Sequence, residues 1–362
     1  MLCMILVSCT GQKTGKENDN NDKIAIEVGQ LKSYYLSSSV HVDSIDYLIG
    51  YNYRLHSLDC MNLKSKSVTQ IVLPGDGPDA IVRLSGIYAQ SLDSVWISDE
   101  SERAFLIDSV GTIKRMIDLK KYLEDQEQLL INTNYAMFTS HLFYNASRHS
   151  LMFLVKHTPS NTFIVKEVFI DEVGKMATYQ LSSSKVVPDM SKGYAYINFP
   201  NVNFVGENIV YNYPVESSIY MLDIRTNERK YILADSHYTS NIIEKCTTSG
   251  DYATLEKHWL ENSHFYDIMY LPKYKIYARL HADKVDFDEK KGMEKLINER
   301  DLYLMLFDEN MEKIGETKLS NCRYSPFTSW NATYGGIALF VDNVLDEKNN
   351  TDDLTIDIIS LK

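Results

Sequence analysis

The sequence predicts an all-β chain folded as a six-bladed β-propeller, its ring closed by an N-terminal strand. Three observations carry this. Strand–turn–strand segments with alternating apolar residues recur along the chain. Tyrosine, a strand former with a polar tip, occurs 25 times, against only 16 glycines and 8 prolines. The third strand of several units ends in an aspartate (Asp59, Asp108, Asp223, Asp308), which can accept backbone hydrogen bonds and start a turn.

The blades are read in order. The first spans Ile45–Tyr51, Arg54–Asp59 and Val68–Leu73. The second shows all four strands: Leu84–Ala89, Ser94–Asp99, Arg103–Asp108 and Ile113–Asp118. The third begins at His141–Asn145, turns at Arg148, and continues as Leu151–Lys156 and Phe163–Ile170. The fourth has Asn203–Val205, Asn208–Tyr213, Ser218–Asp223 and Arg229–Leu233. The fifth has Phe265–Tyr270, Lys275–Leu280, Leu302–Phe307 and Lys313–Thr317. The sixth has Trp330–Thr333, Gly336–Val341 and Leu354–Ile359. It lacks an outer strand, and Gln30–Leu36 is expected to supply it, removing two open edges at once. Two helical insertions are expected. Asp118 can cap Leu119–Leu123, and the charged stretch Asp286–Arg300 puts Met293, Leu296 and Ile297 on one side.

The N-terminus reads as an address. Residues 1–8 are uncharged, and Leu6-Val7-Ser8-Cys9 resembles the bacterial lipobox, so residues 1–8 form a signal and Cys9 is the lipidation site. Residues 9–24 are the lipidated cysteine and a polar tether without the apolar groups to repay ordering. The propeller then occupies residues 25–362. No run of eighteen apolar residues exists, so the membrane is reached through the lipid alone. The expected location is the cell envelope at the outer membrane, with the periplasmic and surface faces both open. A monomer is expected.

The net charge of −12, with no long Lys/Arg run, excludes a nucleic-acid partner. Cys60, Cys246 and Cys322 remain outside the signal, enough for at most one disulfide, and no Cys-x-x-Cys occurs.

The lipobox at Cys9, the run Leu73-Pro-Gly-Asp-Gly-Pro78, and the blade patterns Ser85-Gly-Ile-Tyr…Asp93-Ser-Val-Trp and Tyr266-Asp-Ile-Met-Tyr-Leu-Pro…Ile276-Tyr-Ala-Arg279 resemble a Bacteroidetes-type family of six-bladed, TolB-like propeller lipoproteins of unknown function. The resemblance implies fold and location, and brings no catalytic residues with it.

Catalytic and cofactor motifs are not found. Gly75-Asp-Gly77-Pro-Asp-Ala80 formally matches a dinucleotide loop, but β-rich sequence follows where a helix is required, so an inter-blade loop is expected. There is no Gly-x-Ser-x-Gly, His-Glu-x-x-His or P-loop, and Asp342–Asp353 lacks the spacing of a calcium loop. No catalytic residue, metal or cofactor is assigned. The candidate binding residues are aromatic, histidine and arginine side chains near strand starts and in loops feeding them: His141, Tyr144, His258, Trp259, His264, Tyr266, Arg323 and Trp330. Aromatic planes with Arg and His suit sugar rings or an anionic ligand. The expected function is a binding or interaction module for a glycan, a peptide or an envelope protein. The alternative is a lyase or hydrolase working at the channel mouth.

Overall fold

Each alternating run pairs with the next as an antiparallel hairpin, and the hairpins assemble into six separate sheets. The computed structural model describes residues 31–130, 138–185, 194, 199–246, 251–347 and 353–361. Cys9 and the expected tether lie outside the described residues.

Blade 1 contains β1 (Ser37–Val42), β2 (Ile45–Asn52), β3 (Ser57–Asn62) and β4 (Ser67–Val72). Blade 2 contains β5 (Leu84–Ser91), β6 (Ser94–Asp99), β7 (Arg103–Ile107) and β8 (Ile113–Asp118). Blade 3 contains β9 (Glu127–Leu129), β10 (Phe143–Asn145), β11 (Ser150–His157), β12 (Thr162–Phe169) and β13 (Met176–Gln180), with β9 and β10 both pairing with β11. Blade 4 contains β14 (Asn201–Val205), β15 (Asn208–Asn212), β16 (Ile219–Asp223) and β17 (Arg229–Ile232). Blade 5 contains β18 (His264–Leu271), β19 (Ile276–Ala282), β20 (Leu302–Phe307) and β21 (Lys313–Lys318). Blade 6 contains β22 (Trp330–Ala332), β23 (Ile337–Phe340) and β24 (Ile356–Ile359).

Burial follows position in the blade. Middle strands such as β11 are packed on both faces by neighbouring blades, so they read as unbroken apolar runs: Leu151 to Val155 are all buried. Outer strands β4, β8, β13, β17 and β21 have one or no fully buried residue and are correspondingly polar.

The first strands of successive blades touch in a ring. A parallel bridge from Ser140 to Val202 joins blades 3 and 4. Closure uses the N-terminal strand β1, which packs on β22. Ser39 Oγ donates to the Ala332 carbonyl at 2.6 Å, and Asn331 Nδ2 donates to Ser37 Oγ at 2.6 Å. An N-terminal strand therefore closes the ring, but as the innermost strand of blade 1. The segment expected to be the outer strand of blade 6 is irregular over its described residues 31–36. Leu31 and Tyr34 instead wedge between blades 1 and 6, against Leu48, Met61, Phe340, Leu354 and Ile356. Tyr34 is held there by its hydroxyl, which donates to Asp59 at 2.6 Å.

Three of the four turn aspartates behave as expected. Asp108 accepts from the Val110 and Thr112 amides, Asp223 from Arg225 and Thr226, and Asp308 from Asn310 and Glu312. Asp59 does not. It is buried within β3 and collects Tyr34, Asn52, Ser57 and Gln70, while Asn62 makes the turn by accepting from Lys64 and Ser65.

A short 3₁₀ turn occupies Leu119–Tyr122, capped by Asp118 as expected. Helix α1 (Tyr252–Leu260) forms where the sequence reads as a loop, and α2 (Met293–Asn298) lies inside the expected insertion, burying Leu296 and Ile297. Because neighbouring strands alternate direction, second-to-third-strand links and inter-blade links emerge on one face. That face carries α1, α2 and the link 73–83, whereas the opposite face carries turns of two to six residues. Cys60 and Cys322 are free thiols.

Candidate functional site

The starts of the inner strands bring side chains from three blades to one carboxylate. His141 precedes β10, and its backbone amide donates to the Val202 carbonyl of blade 4 at 3.1 Å. Its Nε2 lies 2.8 Å from Oδ2 of Asp267. Asp267 sits on β18 where the pairing register shifts between Phe265 and Ile268, an irregularity of the kind that re-aims a side chain. From blade 6, Trp330 Nε1 donates to Asp267 Oδ1 at 3.0 Å. Tyr266 meets Trp330 edge-on at 4.7 Å, and His264 lies 4.5 Å from Tyr266. Four of the expected residues, His141, His264, Tyr266 and Trp330, thus converge. The Asp267 side chain is essentially sealed, while about a quarter of the His141 side chain remains accessible.

The inner part of this group has unmet hydrogen-bonding capacity. Both ring nitrogens of His264, the Tyr266 hydroxyl and Arg300 Nη1 are buried without a protein partner. Arg300 donates to the carbonyls of Asp283 (2.7 Å) and Asn262 (2.5 Å), and its guanidinium lies 5.6 Å from the Trp259 ring. Burial, and after it the Arg300 charge, holds His264 well below the usual imidazole range, so the ring is neutral. Burial pushes the Tyr266 phenol up, with Arg300 opposing. Ordered water or a ligand is the usual resolution of such a cluster in native proteins.

Four other expected residues do not join this group. Tyr144 stacks on Trp96 at 5.7 Å and places its hydroxyl 3.2 Å from His149 Nδ1, packing blade 2 on blade 3. His258 and Trp259 are on α1, not in a loop. His258 Nε2 bonds the Glu244 carbonyl at 2.6 Å, and Trp259 is buried in a core cluster. Arg323 is committed to Asp357 through two hydrogen bonds of 2.5 and 3.0 Å, and Tyr324 donates to the same carboxylate at 2.9 Å.

Asp267 is absent from the sequence-derived set. Its one signal is a charge in an otherwise apolar inner strand, His264-Phe-Tyr-Asp267-Ile-Met-Tyr-Leu.

Two cavities open among the long connections. One, of about 650 Å³, lies between blades 1 and 2 and is lined by Tyr35, Tyr51, Tyr53, His56, Gly75, Ile81, Val82 and Arg83. The Gly75 loop is an inter-blade link, as expected from the β-rich sequence after it. Tyr51 OH is 3.1 Å from His56 Nδ1, and Arg83 sits 5.5 Å over the Tyr35 ring. The other cavity, of about 490 Å³, includes Cys246, Lys257, His258, Glu261 and Asp283 beside α1. Among the described residues, no group of three His, Cys, Asp or Glu side chains could hold a metal ion.

A family model described as a domain of unknown function, DUF4221, matches residues 19–318. The chain belongs to the DUF4221 family. A DUF4221 member from Bacteroides vulgatus has a crystal structure similar to this one, with a TM-score of 0.75 at 14% identity over 93% of this chain and 95% of that one. A Bacteroides fragilis protein described as a "putative exported protein" gives a TM-score of 0.56 at 12% identity over 94% of this chain and 95% of that one. At these identities the likeness shows the propeller fold. No curated protein matches the sequence. The DUF4221 match ends with β21, so Trp330, the blade 6 contribution to the channel group, lies beyond it.

Proposed function

We propose that the protein is a binding or interaction module of the cell envelope, presented on a lipid at Cys9, whose ligand face carries the long connections. The supporting observation is the 650 Å³ aromatic cavity on that face, within the size range of small-ligand sites. The lipobox sequence and the structural likeness to the Bacteroides fragilis protein described as a "putative exported protein" support the address. Hydrogen exchange of the protein with and without fractionated envelope material tests the face. Protection over the 73–83 link, α1 and α2 is expected, and protection confined to the short turns of the opposite face would sink the reading. Radiolabelled palmitate incorporation, abolished in Cys9→Ala, is the expected result for the anchor.

One observation favours an enzyme. The accessible His141 is oriented by a buried aspartate, which is how a general base is commonly held. Hydrolysis or elimination of an envelope polymer, lost in His141→Ala while ligand binding persists, is the result that would put catalysis in place of binding alone.

A further inference from the structure

The cavity between blades 1 and 2 has a chemistry more specific than its volume. We infer that it binds a pyranose ring of a glycan. This rests on the binding-module reading and narrows it to one site and one ligand class.

The argument starts with Tyr53, which keeps 52% of its surface exposed. Its turn is pinned, because Asn52 Oδ1 accepts from the amides of Arg54 (3.2 Å) and Leu55 (3.1 Å). An exposed ring on a fixed turn is a pre-organised platform, with little ordering left to lose on binding. Tyr35 stands 6.2 Å away and tilted by 45°, which gives the cleft a second aromatic wall.

The C–H face of a pyranose is apolar and packs on such a wall, while its hydroxyls need polar partners at the edges. They are present. Arg83 Nε lies 3.6 Å from Glu100 and 3.5 Å from the Tyr35 hydroxyl, so a donor and an acceptor are held side by side at the rim. His56 lines the wall with its Nε2 buried and without a protein partner.

The same details disfavour other ligands. Arg83 is already neighboured by Glu100, so no uncompensated cation is offered to an anion. The Ile81 and Val82 amides are engaged by the Pro74 carbonyl and the Asp99 carboxylate, which leaves no ladder there for an added peptide strand.

The test is calorimetric titration of the full-length protein with methyl glycosides of hexoses, N-acetylhexosamines and uronic acids, with Tyr53→Ala, Tyr53→Trp and a distant control, Val173→Ala, at an exposed turn of the opposite face. At least one glycoside is expected to bind. Tyr53→Ala should weaken it about tenfold or more with an unchanged Tm, while Tyr53→Trp and Val173→Ala retain it. The inference is overturned if no glycoside binds, or if binding is equal in wild type and Tyr53→Ala. A peptide or protein that binds the long-connection face while every glycoside fails would overturn the sugar assignment and leave the module reading standing.

Discussion

His141 of blade 3 and Trp330 of blade 6 are joined through one carboxylate, the two oxygens of Asp267 lying 2.8 and 3.0 Å from their ring nitrogens. The contact ties three inner strands together at the channel. Replacing Trp330 by Phe keeps an aromatic ring against Tyr266 and removes the donor to a buried charge. A loss of about 2 kcal/mol is expected, read as a lower urea midpoint at unchanged m-value.

His264 makes the protein sensitive to acid. Its folded-state pKa is depressed by burial and by Arg300, whereas the unfolded imidazole takes a proton near pH 6.5. Below about that pH the unfolded state binds more protons, and stability falls as the pH drops. His264→Leu removes two unpaired nitrogens and this proton uptake by the unfolded chain together. The variant should match or exceed wild type at neutral pH and lose less stability on acidification, by denaturant melts at about pH 7 and about pH 5. An acid response identical to wild type would assign the sensitivity elsewhere.

Asp342 acts in the opposite direction. Burial raises its carboxyl to about 6, against hydrogen bonds from Ser33, the Ser325 amide and Thr328. Between the unfolded value near 4 and about 6 the folded state binds more protons, so this stabilisation is full at low pH and lost as the pH rises through 6. Asp342→Asn keeps an acceptor for the Ser325 amide, which lies 3.0 Å from Oδ1. It should be more stable than wild type at about pH 8 and converge with it near pH 4. Equal stabilities at both values would show that the carboxyl titrates normally.

Ring closure has a narrow fit at Gly50. A Cβ there would lie 2.4 Å from Cγ of the Tyr34 ring. Gly50→Ala must displace Tyr34 from the wedge between blades 1 and 6 and weaken its bond to Asp59. A loss of about 3 kcal/mol is expected, measured by calorimetry. Tyr34→Ala in the same background should then cost much less than in wild type, because the ring is already displaced.

The sequence read some elements better than others, for physical reasons. All four strands of blade 2 were legible, because each carries β-branched or aromatic residues and each link is short. Strand β1 was hidden in Ser37-Ser-Ser-Val-His-Val, an inner strand with little apolar content, and β13 in the exposed edge Met176–Gln180. Helix α1 was missed because Trp259 and Leu260 are its only buried residues, too few to show a period. Among the candidate residues, Arg323 and Tyr144 looked available in the sequence, but Asp357 and Trp96 occupy them.

What the sequence by itself determined is the blade. A blade is a series of hairpins between neighbours in the chain, so alternation and turn residues are enough to specify it. What only the tertiary structure decided is which blades' side chains meet. Asp267 reaches His141 across 126 residues and Trp330 across 63, and the tyrosine cavity forms between two blades. Those meetings depend on the twist of each sheet and on the closure of the ring at β1 and β22, and no local period in the chain encodes either.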